Sequence, residues 1–228
     1  MSKNTETTPT TAIRQLLTII SKNSVNLGLF SILTVGLISL TYVLTESRIN
    51  QQMRDFEARA LKEVVPNHMH DNILLDTTIS LPPSKLLSTQ KVRTGYVACK
   101  KGKPVAVILP TIAPDGYSGR IDLLVGIKAD GTLTGVRVVS EKETPGLGDK
   151  IETSVSNWIF SFTGKSIGNP DPKGWAVKKD GGIFDQFTGA TITPRAVVGA
   201  IYRSLEYFRE NKNTLLNKNQ IKQIHHND

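Results

Sequence analysis

The run Asp185-Gln186-Phe187-Thr188-Gly189-Ala190-Thr191-Ile192-Thr193 places a hydroxyl where an anion would be welcome. It reads as a strand end, then small residues, then a helix start. Gly189 and Ala190 keep bulk away from the backbone, so a large group can approach. Thr191 falls just before the expected helix cap, Thr193. Unpaired backbone N–H groups and the positive end of the helix dipole gather at such a place, which favours a phosphate. An ordinary strand-to-helix turn with a threonine cap explains the same residues. On residue chemistry alone it is the stronger explanation, because small-residue turns before helices are common. A second run, Glu143-Thr144-Pro145-Gly146-Leu147-Gly148-Asp149-Lys150-Ile151, predicts a tight Pro-Gly turn followed by a helix. Its glycines let backbone amides come close to a planar ligand. A plain loop before a helix is the alternative.

Other residue types carry less. His68 and His70, or His225 and His226, have no carboxylate or cysteine partners at metal-ligand spacing, and solvated surface is the better account. No metal site and no catalytic residue is therefore assigned. Asp115 with Asp122, and Glu141 with Glu143, lack an accompanying nucleophile or substrate pocket. Lys100-Lys101-Gly102-Lys103 reads as a basic hairpin turn that guards a strand edge. The single cysteine, Cys99, excludes an internal disulfide, a cysteine zinc site and a cysteine-ligated cluster. It falls in an expected strand and is expected to be buried and inert.

These residues need a scaffold. The chain has 228 residues, 39% of them hydrophobic, enough for one ordinary domain with additions. The net charge of +8 allows an anionic ligand or lipid. Nucleic acid is excluded as a partner, because the basic residues are scattered and form no stripe. Arg93–Cys99 and Lys103–Leu109 predict a strand pair. Ile121, Leu123, Val125 and Ile127 alternate as a half-buried strand does, and Leu133–Val139 returns after Ala129-Asp130-Gly131. Val197, Val198, Ile201, Leu205 and Phe208 recur at helical spacing after Thr193-Pro194. The fold class is α+β, an antiparallel or mixed sheet with packed helices.

Asn23 to Thr45 has no charged side chain, and ~20 helical residues span a bilayer. The expectation is one N-terminal transmembrane helix that stays uncleaved, since no small-residue cleavage site follows it. Lys3, Arg14 and Lys22 against Glu6 keep the N-terminus cytoplasmic; Arg48, Arg54 and Arg59 beyond the span are offset by Glu46, Asp55 and Glu57. The expected division is a cytoplasmic segment 1–22, a transmembrane helix 23–45, a helical extension and connector 46–91, a periplasmic domain 92–210 and a polar tail 211–228. Pro66 ends the extension, and the connector from Asp71 to Lys91 is expected to hold one short strand.

Asp-x-x-Thr-Gly-Ala-Thr resembles the flavinylation motif of the FMN-binding domain family. The resemblance implies that Thr191 carries FMN through a phosphoester installed by a separate flavin transferase from FAD. Asp185, Thr188, Gly189 and Ala190 match the recognition positions. Glu-Thr-Pro-Gly-Leu-Gly is similar to the loop that family holds against the flavin. Two motifs in order, about 40 residues apart, are far more specific than one. The stretch from Gly116 and Tyr117 to Ile127 is similar to the strand region preceding that loop. By this resemblance, Glu143, Thr144, Pro145, Gly146, Leu147, Gly148 and Tyr117 border the ring. Ile192 and Thr193 join Gly189 and Ala190 around the phosphate, with Lys150 and Arg195 as charge partners. Trp158 and Trp175 are candidate flavin walls, although core is the commoner fate of aromatics.

The resemblance covers about residues 92–208 and is greatest to the G-subunit family of Rnf (Rsx) electron transport complexes. The C subunits of the sodium-translocating NADH:quinone reductase are the near relatives. It implies a bacterial inner-membrane subunit relaying single electrons through covalent FMN. The complex would couple ferredoxin and NAD chemistry to Na⁺ or H⁺ movement, and the subunit would have no independent turnover. The implied partners are the other subunits, the flavin transferase and the bilayer. The alternatives are a C subunit of the sodium-translocating NADH:quinone reductase and a membrane-tethered FMN sensor or regulator, the latter disfavoured by the short segment ahead of the span.

Overall fold

The computed structural model describes residues 9–223. Lys3, Glu6 and the pair His225-His226 lie outside them. The chain divides into a unit ending at Arg54 and a second beginning at Asp55.

The first unit is helix from Pro9 onward, part of α1 (Pro9–Val64). Ile20–Glu46 is long and apolar enough to cross a membrane, slightly longer than the expected 23–45. Leu27, Phe30, Ile32, Leu33, Val35 and Ile38 are all exposed, so this helix is apolar around its circumference and needs a nonpolar solvent. Its threonines are satisfied within the helix. The Thr34 hydroxyl donates to the Phe30 carbonyl at 2.9 Å, Thr41 to Leu37 at 2.7 Å and Thr45 to Thr41 at 2.7 Å. No polar side chain among these three is left for lipid to solvate.

The second unit is built on one antiparallel sheet. Its strands are β1 (Thr77–Leu81), β2 (Arg93–Lys100), β3 (Lys103–Ala113), β4 (Ile121–Lys128), β5 (Leu133–Ser140) and the two-residue β6 (Lys222–Gln223). Their order is β5-β4-β3-β2-β1-β6. The expected α+β class holds. Lys101 and Gly102 both have positive φ, 51° and 68°, and close the β2–β3 hairpin in the two-residue turn whose twist suits the strands.

Both faces of the sheet are covered. On one, Val97, Val107, Leu123, Val125, Ile127 and Val138 meet helix α2 (Ile192–Leu215) through Val197, Val198, Ile201, Leu205 and Phe208. On the other, Ala98, Ala106, Ile108 and Leu124 meet Ala60, Leu61, Val64 and Val65 at the end of α1. Double coverage explains why β2 is buried continuously from Gly95 to Cys99 without alternating.

Three expectations are corrected. The folded unit starts at Asp55, ahead of the expected 92. The stretch 46–91, expected as a helical extension and a connector with one short strand, supplies the helix end that covers one face and that strand, β1, as parts of the folded unit. The tail expected from 211 is partly structural: α2 runs to Leu215, which is buried, and β6 pairs with β1. The helix expected after Gly148 is only a 3-10 turn, Asp149–Ile151. The long stretch between β5 and α2 contains 3-10 turns and loops, and it closes the core with Ile151, Ile159, Phe162, Trp175, Val177 and Phe184.

A pair of glycines sets how closely α1 approaches. Gly126 and Gly135 are directly opposite on β4 and β5. A Cβ on Gly126 would lie 2.6 Å from Val64 Cγ1, and one on Gly135 would lie 3.0 Å from the Val64 carbonyl oxygen. Beside them Arg137 pairs with Glu63 at 2.7 Å. Gly135→Ala is expected to cost about 1–3 kcal/mol by overpacking this seat. Urea unfolding of the detergent-solubilised chain, followed by tryptophan emission, reads this as a lower midpoint. An unchanged midpoint would show that the helix end is not seated there.

Candidate functional site

Three loops converge at one end of the sheet. The first joins β3 to β4 and holds Tyr117 and Ser118. The second follows β5 and holds residues 141–148. The third, residues 185–191, leads into α2.

The second and third loops use the same turn chemistry. In Thr144-Pro145-Gly146-Leu147, the Leu147 N–H donates to the Thr144 carbonyl at 3.0 Å and Gly146 has φ 78°. In Phe187-Thr188-Gly189-Ala190, the Ala190 N–H donates to the Phe187 carbonyl at 3.1 Å and Gly189 has φ 83°. Each needs glycine at the third position, the left-handed corner of a type II turn. The turns are neighbours: a Cβ on Gly189 would lie 3.4 Å from Leu147 Cδ2. The structure thus brings the two sequence motifs together.

Helix α2 begins two residues earlier than expected. Thr191, not Thr193, occupies the N-cap position. Its backbone is already helical (φ −75°, ψ −25°), and its side chain makes no capping hydrogen bond. The half-buried Thr191 hydroxyl has no hydrogen-bond partner among the described residues. The amides of Ile192 and Thr193 lie in the first turn, where no intrahelical acceptor exists, and Pro194 has no amide. Thr193 is fully buried, and its hydroxyl, expected to face the phosphate, donates to Glu143.

Glu143 ties the three loops together. It is 5% exposed, not an open wall of the site. Oε1 accepts the Ser118 N–H at 3.0 Å, and Oε2 accepts the Thr193 hydroxyl. The Glu143 N–H donates to the Glu141 carboxylate. Glycine is required beside it. A Cβ on Gly148 would sit 2.8 Å from Glu143 Cβ, and one on Gly116 would sit 2.9 Å from Oε1. This junction was invisible in the sequence, where Glu143 stood out only as part of a motif.

Apolar side chains remain uncovered around the turns: Leu147 is 40% exposed, Ile192 47% and Tyr117 66%. Thr144, Pro145, Gly146, Thr188 and Gly189 are exposed too, Ala190 is half-buried and Gly148 is buried. The floor beneath is aromatic. Trp158 packs edge-on against Phe162 and Phe187, both at 5.1 Å between centroids. Its indole N–H donates to the Asp185 carbonyl at 2.8 Å. Trp175 is buried and belongs to the core with Phe162, Phe184 and Tyr202.

Two of the charged candidates, Arg195 and Asp185, are paired. Arg195 holds Asp180 through two bonds of 2.6 Å, which keeps the Asp180 carboxyl below the usual carboxylate range. The exposed Asp185 pairs with Lys178 at 2.6 Å. The Lys150 carbonyl accepts the Ser156 hydroxyl at 2.6 Å. Among the described residues no group of three His, Cys, Asp or Glu can hold a metal ion. His70 Nδ1 donates to the Asn72 carbonyl at 2.9 Å.

The donor set fits FMN. Unpaired amides and a free hydroxyl suit a phosphate, and the exposed apolar side chains over two glycine corners suit a flat ring. Fold and site therefore define an α+β flavin-binding domain, and the FMN-binding domain family model matches residues 116–206. The RnfG N-terminal region model matches residues 13–64. A protein of Pseudomonas aeruginosa is 52% identical over 195 residues, covering 86% of this chain and 91% of its own. One of Shewanella loihica is 49% identical, covering 87% and 94%, and one of Vibrio cholerae 45%, covering 89% and 97%. All three are named as the G subunit of an ion-translocating oxidoreductase complex. The crystal structure of Shewanella oneidensis NqrC matches 60% of this chain and 69% of its own, at 28% identity and a TM-score of 0.44. The chain belongs to the family of ion-translocating oxidoreductase complex G subunits.

Just beyond the second loop, Glu152 carries an electrostatic load. Burial, and then the nearby Glu141, push the Glu152 carboxyl above its ordinary value, with Arg137 opposing. A raised carboxyl binds its proton more tightly in the folded state. Its cost is absent below the unfolded pKa and complete once the pH exceeds the folded one. Glu152→Gln is expected to raise Tm by roughly 1–2 °C at pH 7 and to lose that gain near pH 4. An equal effect at both pH values would mean that Glu152 carries no such load.

Proposed function

We propose that this chain is the membrane-anchored flavin subunit of an Rnf-type ion-translocating oxidoreductase and holds FMN covalently on Thr191. The observation that carries this is the Thr191 hydroxyl. It stands at the head of α2 yet caps nothing, beside amides without acceptors. Family membership and the match to FMN-binding domains support the cofactor.

FMN, when bound, supplies one-electron acceptance and donation between partners. The Ile192 and Thr193 amides and the positive end of α2 would hold its phosphate. Leu147, Ile192 and Tyr117 would cover the ring, with the turns at Thr144–Leu147 and Phe187–Ala190 approaching it through backbone. Attachment needs a flavin transferase and FAD. The Thr191 oxygen bonds to the FMN phosphorus as the bond from that phosphorus to AMP breaks; AMP departs and the hydroxyl proton is released. The exposed Asp185 and Thr188 are open to recognition by such an enzyme.

Tethering through phosphate leaves the ring electronics to the surrounding protein and keeps the carrier from diffusing away. In this proposal Ile20–Glu46 crosses the inner membrane once. The positive residues ahead of it keep the N-terminus cytoplasmic and place the unit from Asp55 in the periplasm. The subunit relays electrons among the other subunits and does not turn over alone. Ferredoxin and NAD are the proposed redox partners of the complex.

Thr191→Ala is expected to abolish covalent flavin. The measurement is in-gel flavin fluorescence after SDS denaturation, on chain produced beside a flavin transferase, with mass analysis of the peptide containing Thr191. Fluorescent wild type and dark mutant support attachment there. A dark wild type beside a fluorescent flavinylated control would reduce Thr191 to a helix-start residue and remove the covalent proposal.

A further inference from the structure

Glu143 has no open side and cannot stack on a ligand. What it does is hold other groups. Its two oxygens face two donors, one from the β3–β4 loop and one from α2. An acceptor-only group suits that arrangement, since neither donor has to turn away. No cation pairs with it among the described residues, so hydrogen bonds, with help from the positive end of α2, keep the buried carboxylate in place. Gly116 and Gly148 make room for the carboxylate, because a Cβ at either would approach it to 2.9 Å. Thr193 is two residues from Thr191, in the same helical turn. Fixing Thr193 therefore fixes the backbone that carries the acceptor hydroxyl.

We propose that Glu143 is a positioning residue: through Thr193 and Ser118 it clamps the head of α2 to the two flanking loops, so that the Thr191 hydroxyl is presented in one orientation for phosphoryl transfer. This rests on Thr191 being the acceptor. The clamp itself is a property of the chain before any flavin arrives. It specifies the hydroxyl of Thr193, not merely its bulk. It also assigns the two threonines opposite duties: Thr191 keeps its oxygen free and Thr193 surrenders its own.

Two variants separate volume from hydrogen bonding. Thr193→Val keeps the shape and removes the donor, whereas Thr193→Ser keeps the donor. The full chain in detergent is incubated with flavin transferase and FAD, and FMN incorporation is followed in time. Thr193→Val is expected to slow incorporation about five-fold while reaching the wild-type plateau, and Thr193→Ser to stay within about two-fold of wild type. Glu143→Ala is expected to be slower than Glu143→Gln, which retains one acceptor for Ser118. A misfolded fraction would instead lower the plateau and leave the rate unchanged, and that outcome overturns the proposal.

Hydrogen–deuterium exchange on the flavin-free chain tests the clamp independently. Thr193→Val is expected to speed amide exchange about ten-fold in residues 144–148 and 189–193. Unchanged exchange there overturns the proposal even if Thr191 is flavinylated. If wild type takes up no FMN but exchange rises as expected, the clamp stands and the covalent assignment falls.

Discussion

The buried carboxylate of Glu143 is the constraint on which the site depends. It lies where β5 has ended, where the β3–β4 loop passes and where α2 begins. Each of those segments is otherwise held by its own element. Without a common partner, three loops at the end of a sheet have no reason to keep a fixed mutual geometry. A charge in an apolar interior is costly unless its oxygens are occupied, so the same cost that makes Glu143 demanding makes the arrangement specific. The glycine corners at Gly146 and Gly189 then shape the loops on the solvent side of that junction.

Beneath it, rigidity comes from a sheet buried on both faces. Helix α2 covers one face and the end of α1 the other, so the central strands lie between two apolar layers. The aromatic group around Phe162 fills the remaining volume, with Phe162 and Phe184 stacked at 4.4 Å. Phe184 and Phe187 anchor the loop before α2 from below while its turn residues stay in solvent. The loop is thus buried by its aromatics and presented by its small residues.

The strands β2 to β5 and the core-facing positions of α2 were legible in the sequence, because alternation and three-to-four spacing report directly which side is buried. The apolar span and both motif turns were legible for similar reasons, since length, proline and glycine have local meanings. What escaped were interactions between distant positions. Thr193 looked like a cap because threonine before proline usually is one; a carboxylate fifty residues earlier in the chain claims its hydroxyl instead. Arg195 looked free for a phosphate, yet Asp180 holds it. The run from 149 to 184 has no period because 3-10 turns have no repeating buried face, so its aromatics could not be assigned to core or site from spacing. The stretch before β2 read as a connector with one short strand; Pro82-Pro83 and its serines and threonines hid that this strand, β1, pairs into the main sheet.

The pairing of β6 with β1 has a consequence for how the domain is made. β1 is among the first parts of the folded unit to leave the ribosome, and β6 is among the last. Until then β1 can pair only on its β2 side, and its other edge offers backbone groups to any extended chain nearby. Leu215, buried at the end of α2, is equally late. The sheet is therefore finished only after β1 to β5 and α2 have all been made. Through that interval the unclosed edge is the surface that chaperones would have to shield.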